Sequence, residues 1–289
     1  MKSNNQISGT NPRVSVIIPT YNSGNTLERT LQSLLNQTYK NIEIIIVDKG
    51  SQDNTIEIAK KYANKYDNVK VYSIPASERT EQFNYGVSKS SGDYIYYVGS
   101  DFILEPTVIE EAVKKCENEG YDAICIHNTS DPTISFWAKV RKLERDCYVD
   151  DDLNVAARFF KKSVYLAVGG YDPNLVAAEE YDLHNRLLKA GYRIGRITSK
   201  EIHIGEPRTL WEIIKKHYYY GKTLPKFVEK NKARGIKQLS PVRPAYLRNW
   251  KKFVRQPILT LGFIVYQISR YGAAGIGYLR GKMWRTQDD

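Results

Sequence analysis

After a polar start, short β-branched runs alternate with amphipathic stretches, and this change of period constrains the fold more than any other feature. Val14-Ser15-Val16-Ile17-Ile18 is rich in β-branched residues and stops at Pro19, the pattern of a buried strand. Leu27, Leu31, Leu34 and Leu35 follow at helical spacing. Ile42 to Val47 is then a nearly continuous apolar run, which suits a parallel sheet covered on both faces. Asp53 stands where it would cap a helix carrying Ile56, Ile58, Ala59 and Tyr62, and Val69 to Tyr72 and Tyr94 to Val98 read as further strands. The order β-α-β-α-β with right-handed crossovers predicts an α/β fold: an open, mostly parallel sheet flanked by helices, with its ligand site beyond the carboxyl ends of the strands.

Residues that carry chemistry are therefore expected just after strands. The first strand is followed by Pro19-Thr20-Tyr21-Asn22 and no G-x-G-x-x-G, so the dinucleotide fingerprint is missing where it would be needed. After the second come Asp48-Lys49-Gly50-Ser51-Gln52-Asp53. A carboxylate there can accept from a base or a ribose, and each segment equally suits an Asx-type turn. After Tyr94 to Val98 comes Gly99-Ser100-Asp101. Asp101 suits either a turn or cap, or a hard cation held against a diphosphate.

Taken in order, three stretches resemble the opening of family 2 glycosyltransferases: Val16-Ile17-Ile18-Pro19-Thr20-Tyr21-Asn22, then Leu31-Gln32-Ser33-Leu34-Leu35-Asn36-Gln37-Thr38-Tyr39, then Ile44-Ile45-Ile46-Val47-Asp48-Lys49-Gly50-Ser51 with Asp53. Asn84-Tyr85-Gly86, Ser91-Gly92-Asp93-Tyr94-Ile95, Gly169-Gly170-Tyr171-Asp172 and Glu179-Glu180-Tyr181-Asp182-Leu183 extend the resemblance over roughly residues 14–206. It implies the GT-A fold and inverting transfer of a sugar from a nucleoside-diphosphate donor; users of UDP-, GDP- and dTDP-sugars share these motifs, and a UDP- or GDP-linked donor is expected. It further implies that Thr20, Tyr21, Asn22 and Asp48 form the nucleoside pocket, with Arg79, Asn84 and Ser100 also on the donor side. Asp101 matches the final carboxylate of the family's D-x-D metal motif, and His203 resembles a later histidine that can join a Mn2+ or Mg2+ ion. Glu180, with Glu179 beside it, matches the family's general base. Inversion needs such a carboxylate to take the acceptor hydroxyl's proton, and a cation stabilises the departing diphosphate. Three departures stand out: Gly99 replaces the usual first Asp of D-x-D, Lys49 replaces a common Asp, and Glu180 stands for Asp. Taken alone, Glu179-Glu180 also reads as a helix-dipole feature, and His203 as a half-buried histidine at a strand end.

Charge divides the chain. Residues 1–206 hold 25 Lys and Arg against 28 Asp and Glu, whereas residues 207–289 hold 18 against 4, so the whole formal excess of +11 lies in the tail. Expected divisions are a disordered N-terminus at 1–12, a catalytic domain at 13–206 with an acceptor-side region at its polar middle (Asp131 to Asp152), and a basic, aromatic helical region at 207–289. Such a tail meets a polyanion. Leu210 to Lys222 mixes apolar, aromatic and basic residues as an interfacial helix does. Pro257 to Leu279 is 23 residues long with one charge, Arg270, enough to cross a bilayer. Arg270, the breaks at Gly262, Gly272, Gly275 and Gly277, and basic flanks at both ends favour an interfacial or re-entrant arrangement instead.

A membrane-associated tail points to a lipid-linked acceptor, a polyprenyl-phosphate or polyprenyl-diphosphate sugar, met at the cytoplasmic face of the membrane. The polar N-terminus lacks a secretory signal's apolar core. Cys116, Cys125 and Cys147 have no disulfide or zinc spacing and read as core residues. Nucleic acid is the rival partner for the basic tail, but long Ile/Leu/Val runs are poorly used on phosphate. A catalytically silent glycan- or nucleotide-binding relative is the other alternative, motivated by Gly99 and Lys49.

Overall fold

The computed structural model describes residues 11–76 and 78–288, with side chains as far as Met283. The expected disorder at 1–12 falls, for residues 1–10, outside the described residues. Along the chain the elements run β1 (Val14–Thr20), α1 (Leu27–Leu35), β2 (Ile42–Asp48), α2 (Thr55–Lys65), β3 (Val69–Ser73), α3 (Arg79–Lys89), β4 (Tyr94–Tyr97), β5 (Phe102–Leu104), α4 (Val108–Glu119), β6 (Ala123–Ser130) and α5 (Phe136–Arg145). They continue as β7 (Ala157–Lys161), α6 (Lys162–Ala167), α7 (Glu179–Lys189), β8 (Ile194–His203), α8 (Leu210–Gln238), α9 (Pro244–Arg248), α10 (Trp250–Val254) and α11 (Pro257–Asp288).

The strands form one eight-stranded sheet in the order β3-β2-β1-β4-β7-β6-β8-β5. β3, β2, β1 and β4 pair in parallel, as the nearly continuous apolar run of β2 predicts, while β7 joins β4 and β6 antiparallel. Every residue of β1 and β2 is buried. Val16, Ile18, Ile44 and Ile46 turn one way, onto Leu27, Leu31 and Leu34 of α1 and onto α4. Each such fully buried aliphatic side chain contributes about 1.5–3 kcal/mol. On the other face α3 lies close at Gly86, where a Cβ would meet Ile17 and stand 3.3 Å from Val47. Phe83 of α3 packs edge-on against Tyr97, Tyr165 and Tyr171.

The chain divides into two compact units: residues 1–127, 157–171 and 186–201 in the first, and 128–156, 172–185 and 202–289 in the second. The first holds most of the sheet. The second contains a helix absent from the sequence expectation: α5 runs through the stretch that reads as a polar, less periodic middle. Ser135 caps it by accepting from the Ala138 N–H at 3.0 Å, and Ala138, Val140, Leu143 and Glu144 are buried. A buried glutamate inside the apolar stripe is what disguises its period.

α8 opens on a variant of the capping box, in which the glutamate reaches the N–H one residue before the cap. Thr209 Oγ1 accepts from the Glu212 N–H at 3.2 Å, and the Glu212 carboxylate accepts from the Arg208 N–H at 2.8 Å. The helix is interrupted at Lys232, which sits at φ 45° and ψ −131°. α8 and α11 lie against each other, and α11 also packs on α5. Gly221 stands against the Ala274 carbonyl and Gly277 against the Tyr218 carbonyl, so close that a side chain at either would overlap backbone. Gly277, read above as a break, is a point of close approach inside one continuous helix. No helix among the described residues is long and apolar enough to cross a membrane.

Candidate active site

Parallel register sets Thr20 opposite Asp48 at the carboxyl ends of β1 and β2, and the loops beyond them are bonded to each other. Asp48 is fully buried. Its Oδ1 accepts from Thr20 Oγ1 at 2.9 Å and Ser51 Oγ at 2.5 Å, and its Oδ2 from the N–H groups of Gly50 at 2.8 Å and Ser51 at 2.9 Å. Asn22 adopts φ 48°, a conformation Asn tolerates better than most residues. From there its N–H donates to Ser51 Oγ at 2.9 Å while its Oδ1 accepts from the Gln52 N–H at 2.8 Å. The turn at Asp48 is thus an Asx-type turn, and the bonds from Thr20 and Asn22 hold the two loops together.

Asp53 extends this bonding. The expectation that it caps α2 is corrected in part: the N-cap position is Asn54, while Asp53 takes the Thr55 N–H at 3.0 Å and the Gly24 N–H at 2.9 Å. The Thr55 hydroxyl bond holds its carboxyl below the usual range. Beneath, Gln82 Nε2 donates to the carbonyls of Thr20 at 2.8 Å and Val47 at 2.6 Å, so α3 straps both strand ends. Tyr21 keeps 52% of its surface exposed, with the Lys49 ammonium 5.0 Å from its ring centroid.

Because Tyr97 pairs with nothing beyond Ile17 of β1, the Gly99-Ser100-Asp101 turn lies past the strand, toward the same edge. Ser100 Oγ is 2.8 Å from Ser23 Oγ, and its carbonyl accepts from Thr30 Oγ1 at 2.9 Å. A Cβ on Gly99 would stand 2.8 Å from Asp101 Oδ1 and 2.8 Å from the Phe102 ring. Asp101 and Phe102 thus occupy the space in which the first carboxylate of a D-x-D pair would begin. No group of three or more His, Cys, Asp or Glu residues able to hold a metal occurs among the described residues. A cation at this turn would rest on the Asp101 carboxylate and be completed by diphosphate oxygens, an arrangement ordinary for Mg2+.

Arg79 is the first residue of α3 and half-buried. Asn84 is not aimed at the loops just described: its Nδ2 donates to the Tyr171 carbonyl at 2.8 Å and its Oδ1 accepts from Tyr165 Oη at 2.5 Å. It fastens α3 to the Gly169-Gly170 turn, whose residues take φ 83° and 65°. Two consecutive left-handed positions account for the paired glycines.

Glu179, Glu180 and His203 belong to the second unit. Glu179 is buried and Glu180 half-buried in the first turn of α7, where negative charge is favoured. Ala178, immediately before them, sits at φ 63°. One turn on, Asp182 accepts from Lys230 Nζ at 3.0 Å and Asn231 Nδ2 at 3.0 Å, so α8 holds α7. His203 is buried with Nδ1 2.9 Å from Glu206 Oε1. Glu206 also accepts from Ser130 Oγ at 2.5 Å and pairs with Arg145 at 3.0 Å. Burial alone would raise the Glu206 carboxyl, but Arg145 and His203 hold it far below the usual range. A carboxylate behind a histidine is the usual support of a ligating imidazole and also of a purely structural one. Gln82 and Ser23 escaped the sequence reading because each acts on a partner far along the chain, and Glu206 because its remaining partners, Ser130 and Arg145, do.

The profile described as Glycosyl transferase family 2 matches residues 15–163, just over half of the 289 residues. The chain belongs to this family. A cholesterol galactosyltransferase of Borreliella burgdorferi is 37% identical over 113 residues, 39% of this chain and 32% of that protein. A chondroitin synthase of Pasteurella multocida is 29% identical over 186 residues, 62% of this chain and 19% of that one. This family 2 chain thus spans under a third of the length of either relative. A solved mannosyltransferase from Pyrobaculum calidifontis, in complex with GDP-Man and Mn2+, matches with a TM-score of 0.60 at 16% identity, over 97% of this chain and 80% of that one. The likeness shows the GT-A fold.

Proposed function

We propose that this chain transfers a sugar from a UDP- or GDP-linked donor to a hydroxyl of a lipid-linked acceptor, with inversion at the anomeric carbon. The observation that carries the reading is the interlocked pair of strand-end loops, in a family 2 chain, that leaves Tyr21 open beside Lys49. An exposed ring at a strand end can stack on a nucleobase, while the bonds around Asp48 keep the loops from collapsing into the space the nucleoside takes. Thr20, Asn22 and Asp48 shape that pocket, and Ser100 and Arg79 serve the diphosphate. Asn84 acts from behind by holding α3.

Glu180, with Glu179, takes the acceptor proton as the new bond to the anomeric carbon forms and the bond to the diphosphate breaks. Asp101 would help hold Mg2+ or Mn2+, which would supply positive charge for the leaving diphosphate. The galactosyltransferase relative, named for cholesterol, supports a lipid acceptor. The basic region at 207–289 supports association with an anionic membrane surface.

Thermal stabilisation by a panel of nucleotide sugars with Mn2+ or Mg2+ tests the donor half. The expected outcome is one stabilising nucleotide, turnover abolished by Glu180→Gln with donor binding retained, and a product of inverted anomeric configuration by NMR. Absence of nucleotide binding and of turnover would sink the reading in favour of a silent relative.

A further inference from the structure

α11 has two unlike faces. Tyr266, Arg270, Ala273 and Gly277 are buried, whereas Ile258, Leu261 and Ile268 are 73%, 67% and 69% exposed, and Val265, Ile276 and Leu279 are exposed with them. The exposed set recurs every three or four residues, broken once between Ile268 and Ile276 where Gly272 is exposed, and with Met283 it extends over roughly 38 Å of helix. Leu247, Trp250 and Val254, from α9 and α10, are exposed as well. A contiguous apolar face of this length marks an interaction surface.

Its charge says what covers it. Residues 230–287 contain 13 Lys and Arg and no Asp or Glu. A second copy laid along the stripe would bring like charges together with no carboxylate from this segment to meet them. Beside the start of α11 lies a cavity of about 360 Å³ whose walls include Lys139, Lys142 and Lys252, the single carboxylate Asp146, and Leu143 and Leu259. Lys142 Nζ pairs with Asp146 and Lys252 Nζ donates to the Asp146 carbonyl at 2.6 Å, so the cavity carries a net two positive charges over an apolar floor, which match a phosphate headgroup with its chain.

Resting on the membrane reading above, we propose that the outer face of α10 and α11 lies flat in an anionic phospholipid bilayer, with a lipid phosphate seated between Lys139, Lys142 and Lys252. Apolar burial and attraction to anionic lipid then act together, as in interfacial helices. Arg270 does not oppose this, because it points to the other face.

The test is co-sedimentation of the full chain with phosphatidylcholine vesicles with and without phosphatidylglycerol, in the absence of donor and acceptor. Binding is expected to require phosphatidylglycerol and to weaken with salt. Ile268→Asp and Leu261→Asp, exposed changes that leave circular dichroism intact, are expected to abolish it. Replacing Lys139, Lys142 and Lys252 by Gln should weaken it by about fivefold per lysine. Three results would overturn the proposal: no vesicle binding, stabilisation by inorganic phosphate without vesicle binding, or a dimer in light scattering that Ile268→Asp dissociates while vesicles go unbound. Nucleotide-sugar stabilisation, measured separately, distinguishes failure here from failure of the sugar-transfer reading.

Discussion

Arg270 Nη1 donates to Glu144 Oε1 at 3.0 Å, across 126 residues of chain. Arg141 pairs with the same carboxylate, and Tyr246 Oη donates to it at 2.9 Å. The one charge in the most apolar stretch of the tail is therefore the point at which α11 is tied to α5. Burial would raise the Glu144 carboxyl, but Arg141, Arg270 and Arg243 hold it well below the usual range.

Removing one partner of such a pair leaves the other charge buried. Arg270→Met is expected to lower stability by about 3–5 kcal/mol, seen as a lower urea midpoint and as faster hydrogen exchange in α11.

Glu43 lies fully buried in β2, accepting from Ser15 Oγ at 2.6 Å, the Ser91 N–H at 2.6 Å and Lys70 at 3.0 Å. Burial raises its carboxyl, yet these donors bring it down to about 2. A carboxyl depressed on folding contributes stability above its unfolded value and loses it as pH falls toward the folded one. Stability should thus decline from about pH 4.5 to pH 2, by on the order of 3 kcal/mol, and Glu43→Gln should flatten that part of the acid-unfolding curve.

Gly99→Asp would restore the family's first carboxylate but lacks the room for it. The expected result is a loss of about 1–3 kcal/mol from overpacking against Asp101 and Phe102, measured by thermal denaturation, with no gain in Mn2+ affinity by calorimetry. Tighter Mn2+ binding at unchanged stability would contradict the steric account.

Ala178 holds a left-handed conformation directly before Glu179. Ala178→Gly should stabilise the fold by about 1 kcal/mol, and Ala178→Val should destabilise it; an unchanged melting temperature in both would remove the strain at this position.

How much of the site was legible depends on distance along the chain. The Asx-type turn at Asp48, Gly50 and Ser51 was readable because its bonds are local, whereas those from Thr20 and Asn22 reach 28 to 30 residues along the chain. Asn84 was legible as a motif but not as a role, since its amide partners, Tyr165 and Tyr171, lie 81 and 87 residues away. Gln82 carries no local signal, because a buried amide inside a helix looks like any polar residue until two strand ends are laid beneath it.

The sequence by itself determined the alternation of strands and helices, the edge at which the loops gather, and the basic character of the tail, all of which follow from local periodicity and composition. Tertiary structure decided what Arg270, Gly262 and Gly277 are for. A charge and a set of small residues within an apolar run are compatible with a lipid-facing break or with a packed helix. Only the approach of α5 and α8 to one face of α11 chooses the second, because that contact supplies Glu144 for the arginine, the Phe136 and Val140 side chains for Gly262 and the Tyr218 carbonyl for Gly277.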